Sequence, residues 1–174
     1  MNTAIVAATM LLSSASLDAQ PFSRLPATLQ PLVQALQSKG FTLRIALPPV
    51  QGSYGLFQSQ SKTLWLSPVT FPLGIARQTF LHEAVHAVQS CPTGRLTPIG
   101  WRLKVSPVVE REIGGILMQS YHHSNRVLER EAFFMQGQPD AVAQVIAAHH
   151  AGEGNAQQGL EAEEGKAAAE DACR

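Results

Sequence analysis

The chain has 174 residues, of which 45% are hydrophobic and 15% are charged, so it is long enough to bury the core of one ordinary domain. Thirteen basic and thirteen acidic residues give a formal net charge of zero. Without a basic stripe to neutralise a row of phosphates, the composition argues against a nucleic-acid partner. The two cysteines, Cys91 and Cys173, are too few for a Cys-rich zinc site, and we predict free thiols.

The N-terminal segment admits two interpretations. Residues 4–12 are apolar and are followed by the small residues Ser13, Ser14 and Ala15, a pattern that would mean export if residues 1–15 act as a signal peptide. No Lys or Arg precedes the apolar stretch, and the stretch is far too short to span a bilayer. We therefore expect a cytoplasmic protein with no stable membrane span, in which residues 1–20 form an apolar helix or a weak signal-like segment.

The next part of the chain predicts a helix and then a small sheet. Residues 29–39 have apolar positions at helical spacing and are followed by Gly40, which commonly ends a helix. Apolar and polar residues alternate over residues 41–47, as in a half-buried strand. Residues 52–58 and 63–66 are two further strand-like segments that we interpret as a hairpin continuing the sheet. We expect a small antiparallel sheet of about three strands.

The second half of the chain is predicted to be helical. Helices are expected over residues 75–89, from Pro107 onward, over 126–136 and over 140–148, with His149 and His150 as structural residues at the last helix end. Residues 151–174 are rich in Ala, Glu, Gly and Gln, which predicts a disordered or loosely helical tail. The predicted organisation is one α+β domain over residues 21–150.

The helix predicted over residues 75–89 contains the HExxH motif, formed by His82, Glu83 and His86. Positions i and i+4 project from one face of a helix, so the two imidazoles can bind one metal ion. Glu83 lies about a quarter-turn away, where it can take a proton from metal-bound water without being a ligand itself. The motif therefore predicts one Zn²⁺ per chain.

A catalytic zinc ion needs a third protein ligand and an open fourth position. The carboxylates on plausible downstream helices are Glu110, Glu112, Glu129 and Glu131. HExxH followed at some distance by Glu-x-x-Ala, here Glu129 to Ala132, resembles the gluzincin metallopeptidases over roughly residues 41–136. The resemblance implies a zincin-like fold with Glu129 as the third ligand, and Glu131 is the alternative if the register differs.

The chain departs from that resemblance at one position. Many such enzymes carry Asp directly after the small residue, where it orients a zinc-bound histidine, but Phe133 stands there in this sequence. Asn125 or Glu131 would then have to perform the orienting role.

The resemblance implies a zinc-dependent metallohydrolase, specifically a metallopeptidase that acts on a peptide or protein substrate. Zinc-bound water activated by Glu83 would attack the peptide carbonyl. An extended substrate could pair with an edge strand that contains Tyr54, Gly55 and Leu56. The candidates for stabilising the transition state are Tyr121, His122, His123 and Arg126. The alternative function is a non-catalytic zinc-binding or protein-interaction domain.

Overall fold

The computed structural model describes residues 22–120 and 125–160, with side chains described over residues 23–120 and 125–151. The predicted N-terminal segment 1–20 and the end of the predicted tail, residues 161–174, lie outside the described residues. The helices and strands are, in chain order, α1 (Gln30–Ser38), β1 (Thr42–Ile45), β2 (Gly55–Gln58), β3 (Thr63–Leu66), α2 (Ala76–Gln89), α3 (Pro107–Ser120), α4 (Arg126–Gln136) and α5 (Ala141–Leu160). The molecule is α+β, with three strands before the HExxH helix and helices after it, as predicted.

The sheet is mixed and has the strand order β1-β3-β2. β2 and β3 form the predicted antiparallel hairpin, with Gly55 opposite Leu66, but β1 runs parallel to β3, with Thr42 opposite Thr63. The prediction of a wholly antiparallel sheet is therefore wrong. The prediction fails because the hairpin places β3 between β1 and β2, and not on the far side of β2. β3 therefore pairs with both strands, and β2 becomes an edge strand.

Helix α2 is the centre of the core. Every residue from Phe80 to Ser90 is buried, and the helix packs against β2, β3, α4 and α5. Its fourteen residues include no Gly or Pro, so the backbone can stay helical throughout while apolar neighbours cover it on several sides. On α1, the predicted apolar face of Leu32, Val33 and Leu36 is buried in the same core. The HExxH motif therefore sits on the most deeply enclosed helix described.

The helices after α2 agree with the predictions in position, with one difference. Ser106 Oγ accepts a hydrogen bond from the Val109 N–H at 3.3 Å, which caps the start of α3. α5 continues to Leu160, past the predicted end at Ala148, so His149 lies inside a helix. Cys91 is disulfide-bonded, so the prediction of a free thiol is wrong there. No helix in residues 22–120 and 125–160 is long and apolar enough to cross a membrane.

Candidate metal centre

Helices α2 and α4 bring His82, His86 and Glu129 into one cluster. Glu129 Oε2 lies 3.1 Å from His82 Nε2 and 3.5 Å from His86 Nε2. The two Nε2 atoms are themselves 3.2 Å apart. The three side chains are buried or nearly so, and they come from elements separated by about forty residues of sequence. Three groups that can each donate an electron pair to a metal therefore converge on one point.

The separations of these three atoms suit a tetrahedral zinc ion. With zinc–ligand bonds of about 2.0 to 2.1 Å, two ligand atoms of a tetrahedron are roughly 3.3 Å apart. The observed separations of 3.1, 3.2 and 3.5 Å bracket that value. A carboxylate oxygen and two imidazole nitrogens that each present a lone pair would repel one another unless a cation or a proton lay between them. The donor set thus fits a divalent metal.

The packing of α2 on α4 explains why the cluster forms. On α2, i and i+4 spacing places both imidazoles on the side that faces α4. Ala132 on α4 is completely buried, and a side chain this small lets two helices approach closely. Glu129, one turn before Ala132, then reaches the histidines. Of the two alternative third ligands predicted, the structure brings Glu129 to the histidines and turns Glu131 elsewhere.

The charges in the cluster support one another. Burial opposes ionisation of Glu129, but the hydrogen bonds and positive charge of His82 and His86 outweigh it and lower the pKa of Glu129 to about 2. Burial also disfavours protonated His86, yet the hydrogen bond and charge of Glu129 and the charge of Glu83 raise its pKa overall. Glu129 is therefore ionised at neutral pH and favours a positive charge between the side chains.

Glu83 lies beside the cluster and contacts strand β2. Burial raises the pKa of Glu83, although the charges of both histidines and a hydrogen bond from the Phe57 backbone N–H act in the opposite direction. Gly55 allows this position, since a Cβ atom there would lie 2.6 Å from Glu83 Oε1. The carboxylate is thus more basic than an ordinary glutamate and is fixed between α2 and the sheet.

The outer edge of β2 is the predicted edge strand. The Tyr54 C=O accepts a hydrogen bond from the Ser67 N–H at 2.8 Å, so it points into the sheet. Because backbone groups alternate in direction along a strand, those of Leu56 also point toward β3, whereas those of Gly55 and Phe57 point outward. The hydrogen bond from the Phe57 N–H to Glu83 agrees with this alternation. The outward-facing backbone of β2 therefore runs alongside Glu83.

Glu131 lies on α4 two residues after Glu129, but it faces a loop. Its Oε1 accepts a hydrogen bond from the Gly100 N–H at 2.6 Å, and its Oε2 accepts one from the Ile99 N–H at 2.9 Å. Gln89 Nε2 donates a third hydrogen bond to Oε2, also at 2.9 Å. Glu131 is thus a buried carboxylate with three N–H donors, and its partner Gln89 contacts His86.

The remaining predicted residues lie in several places. Phe133, which stands where the resemblance expects Asp, packs its ring against that of His82 in a T-shaped arrangement, with the ring centroids 4.7 Å apart. Asn125 is exposed, and the Arg126 guanidinium contacts Met118 on α3. Tyr121, His122 and His123 lie outside the described residues. Of the other carboxylates, Glu110 pairs with Arg130 and Glu112 is exposed.

Gln89 is the residue that sequence reasoning missed. It is 1% exposed and links His86 to Glu131. A signal was present, because Gln89 is a polar residue three positions after His86 on a helix predicted to be buried. A buried amide requires polar partners, and i to i+3 spacing places the nearest one at His86.

One comparison with known proteins gives a match. A family model described as a domain of unknown function, DUF8637, matches residues 67–149. No curated protein and no solved structure matches the chain. The matched stretch begins directly after β3 and contains His82, Glu83, His86 and Glu129, whereas Gly55 precedes it. The family description carries no activity, so the function has to be argued from the site.

Proposed function

We propose that this chain is a zinc-dependent metallohydrolase, and that its substrates are peptides. His82, His86 and Glu129 would hold one zinc ion, and Glu83 would act as the general base. The observation that carries the proposal is the convergence of three ligand atoms at separations of 3.1 to 3.5 Å, with a buried carboxylate beside them. Zinc, when bound, supplies a Lewis acid that polarises a carbonyl and lowers the pKa of water.

The number of ligands favours a catalytic over a structural zinc ion. Structural zinc sites are closed by four protein ligands, usually with cysteine among them, whereas catalytic sites keep one position open. Among the residues that the structure describes, no fourth His, Cys, Asp or Glu joins His82, His86 and Glu129. This difference speaks against the alternative of a non-catalytic zinc-binding domain.

Glu83 has the properties of a general base. It takes a proton from water as the water oxygen bonds to the substrate carbonyl carbon, and it returns that proton to the leaving nitrogen as the C–N bond breaks. The raised pKa of Glu83 brings its basicity closer to neutral pH, where proton transfer in both directions is efficient. The hydrogen bond from the Phe57 N–H to the Glu83 carboxylate orients this group before substrate binds.

The edge of β2 supports a peptide as the substrate class. An extended chain that pairs with the outward-facing N–H and C=O of Gly55 and with the C=O of Phe57 would add a strand to the sheet. Glu83 contacts both residues, so such a chain would pass directly by the general base. Such pairing recognises the repeating N–H and C=O groups of a peptide backbone. An ester or a small amide has no such repeat.

The test is zinc content by elemental analysis, with casein hydrolysis measured in parallel. Wild type should hold one zinc per chain and cleave casein. Glu83→Gln should keep its zinc and lose activity by roughly a thousand-fold, the scale expected when the group that moves the proton is removed. Glu129→Gln should lose far more zinc than Glu131→Gln, because an amide oxygen is a poor replacement for a carboxylate ligand.

The matched control is Glu112→Gln, which makes the same change at an exposed position of α3 and should leave zinc content and hydrolysis unchanged. Wild type without zinc, after zinc is supplied during expression, would contradict the proposed metal site. Zinc with no cleavage of casein or of a mixed peptide library would instead favour the non-catalytic zinc-binding domain.

A further inference from the structure

Gln89 occupies the space between a proposed metal ligand and a buried carboxylate. Its Oε1 lies 2.8 Å from His86 Nδ1. Its Nε2 donates to the Leu128 C=O at 3.0 Å and to Glu131 Oε2 at 2.9 Å. All the polar atoms of this amide are therefore used, and each has a partner on α2 or α4.

These partners determine which way the amide points. The Leu128 carbonyl and the Glu131 carboxylate can only accept hydrogen bonds, so the atom that faces both of them must be the NH₂ group. The oxygen of Gln89 consequently faces His86 and can only accept. His86 Nδ1 must then carry the hydrogen, which leaves the lone pair of the neutral ring on Nε2. Nε2 is the atom that lies in the cluster with His82 and Glu129.

Glu131 fixes the amide from the other side. Its two oxygens accept hydrogen bonds from the backbone N–H groups of Ile99 and Gly100 as well as from Gln89. These backbone donors belong to the loop between α2 and α3, so the carboxylate is held by a part of the chain outside both site helices. Glu131 cannot turn away without breaking these hydrogen bonds and leaving an N–H of the buried Gln89 amide unpaired, which is costly.

We propose that Gln89 and Glu131 are positioning residues for the metal site. Gln89 holds His86 in the tautomer with hydrogen on Nδ1 and so presents Nε2 to the metal, and Glu131 holds Gln89. The inference rests on the proposed zinc site, and it assigns to Gln89 the orienting role that Asp performs in many gluzincins. A partner to the non-ligating nitrogen raises the basicity of a histidine ligand and fixes its ring.

The first experiment compares Gln89→Met with Gln78→Met, which makes the same change at an exposed position of α2. Methionine has nearly the length of glutamine, but its thioether sulfur is only a weak acceptor for the Nδ1 hydrogen bond and cannot donate to Glu131. Zinc affinity, measured by competition with a chromogenic chelator, should fall by about 10- to 100-fold in Gln89→Met. Gln78→Met should bind zinc as wild type does.

A second measurement reports the tautomer directly. In metal-free, ¹⁵N-labelled protein at alkaline pH, the ring nitrogens of His86, assigned by comparison with His86→Gln, should show hydrogen on Nδ1 in wild type. Gln89→Met should shift the population toward hydrogen on Nε2. Loss of packing alone would lower the melting temperature without moving this tautomer equilibrium, so the measurement separates positioning from a structural role.

A double-mutant cycle tests the link between the two residues. Glu131→Gln removes the carboxylate that accepts from Gln89, so by itself it should lower zinc affinity, though by less than Gln89→Met does. If Glu131 acts on the metal site through Gln89, then adding Glu131→Gln to Gln89→Met should lower zinc affinity no further. Losses that simply multiply in the double variant would contradict the link through Glu131.

The outcomes separate this inference from the proposed function. A wild type that binds no zinc overturns the proposed function, and the tautomer measurement still decides whether Gln89 orients His86. If wild type binds zinc, Gln89→Met binds within two-fold of it, and His86 keeps hydrogen on Nδ1, then the inference is overturned and the zinc site stands.

Discussion

Two regions of the molecule bury histidine, and they differ in what surrounds the imidazole. His82 and His86 lie beside Glu83 and Glu129, and His86 also contacts Gln89. His149 on α5 is completely buried, yet neither of its ring nitrogens has a hydrogen-bond partner among the described residues. Burial alone therefore does not indicate a functional histidine. The groups within hydrogen-bonding distance of each imidazole distinguish the two regions.

The difference is visible in the electrostatics of the two regions. Acidic neighbours overcome burial and raise the pKa of His86. Burial, helped by the charges of His150 and Lys39, lowers the pKa of His149 to about 4, so this ring is neutral near pH 7. The ring of His149 packs edge-on against Phe41 at 5.9 Å between centroids, as an aromatic core residue would.

The largest expected difference between the regions is in metal binding. We predict that His86→Gln lowers zinc affinity by roughly a thousand-fold or more, because one of the three proposed protein ligands is lost. His149→Gln should bind zinc as wild type does. Isothermal titration of both variants with zinc checks this, and a weakened site in His149→Gln would break the distinction.

The second difference is in stability at acid pH. Folded His149 resists protonation, because burial lowers its pKa from the ordinary value of 6.5 to about 4. The unfolded state therefore binds a proton first as pH falls, and stability from this residue is complete above about pH 6.5 and is lost progressively toward pH 4, by on the order of 3 kcal/mol in all.

His149→Leu should remove this dependence. Urea unfolding of metal-free wild type and His149→Leu at pH 7.5 and 4.5 measures it, and the free energy of unfolding should fall more in wild type than in the variant. Because the metal-site residues titrate equally in both proteins, the difference between the two isolates His149. An equal loss of unfolding free energy in both proteins would mean that protonation of His149 does not destabilise the folded state.

The smallest of the three predicted effects comes from moving the Glu83 carboxylate while the histidines stay unchanged. Gly55→Ala places a methyl group 2.6 Å from Glu83 Oε1, so Glu83 must shift. Hydrolysis should fall by about 10- to 100-fold, since small displacements of a catalytic group have effects of this size. Zinc affinity should stay close to that of wild type.

Gly114→Ala is the matched control, because a Cβ atom on that helical glycine meets nothing within 4 Å. It should leave hydrolysis unchanged and stabilise the protein by roughly 0.5 to 1 kcal/mol, as alanine favours the helix. Peptide hydrolysis rates and zinc titrations of both variants test the pair. Full activity in Gly55→Ala would show that Glu83 does not need its place against β2.

Much of this architecture could be predicted from local sequence. The HExxH spacing, the absence of Gly and Pro from residues 76–89 and the Glu-x-x-Ala pattern are all contained in short segments, and α2 and α4 begin and end near the predicted residues. The hairpin of β2 and β3 was also predictable, because both strands and their turn are adjacent in sequence.

The features that were not predictable depend on distant partners. Whether β1 pairs with β2 or with β3 depends on which strand of the hairpin lies beside it, and in this structure that strand is β3. Glu129 and Glu131 are two residues apart, and their separate destinations follow from the loop that supplies Ile99 and Gly100. The burial of His149 follows from the packing of α5 on the rest of the core, which its local sequence did not indicate.

The missing side chain at Gly55 also offers a way to interpret related sequences. All the proposed zinc ligands lie within residues 67–149, the stretch that the family model matches, but the glycine that makes room for Glu83 does not. A relative could therefore match the family and keep both histidines while carrying a larger residue at this upstream position. On the proposed function, we would expect such a sequence to encode a protein that binds metal but hydrolyses peptides poorly.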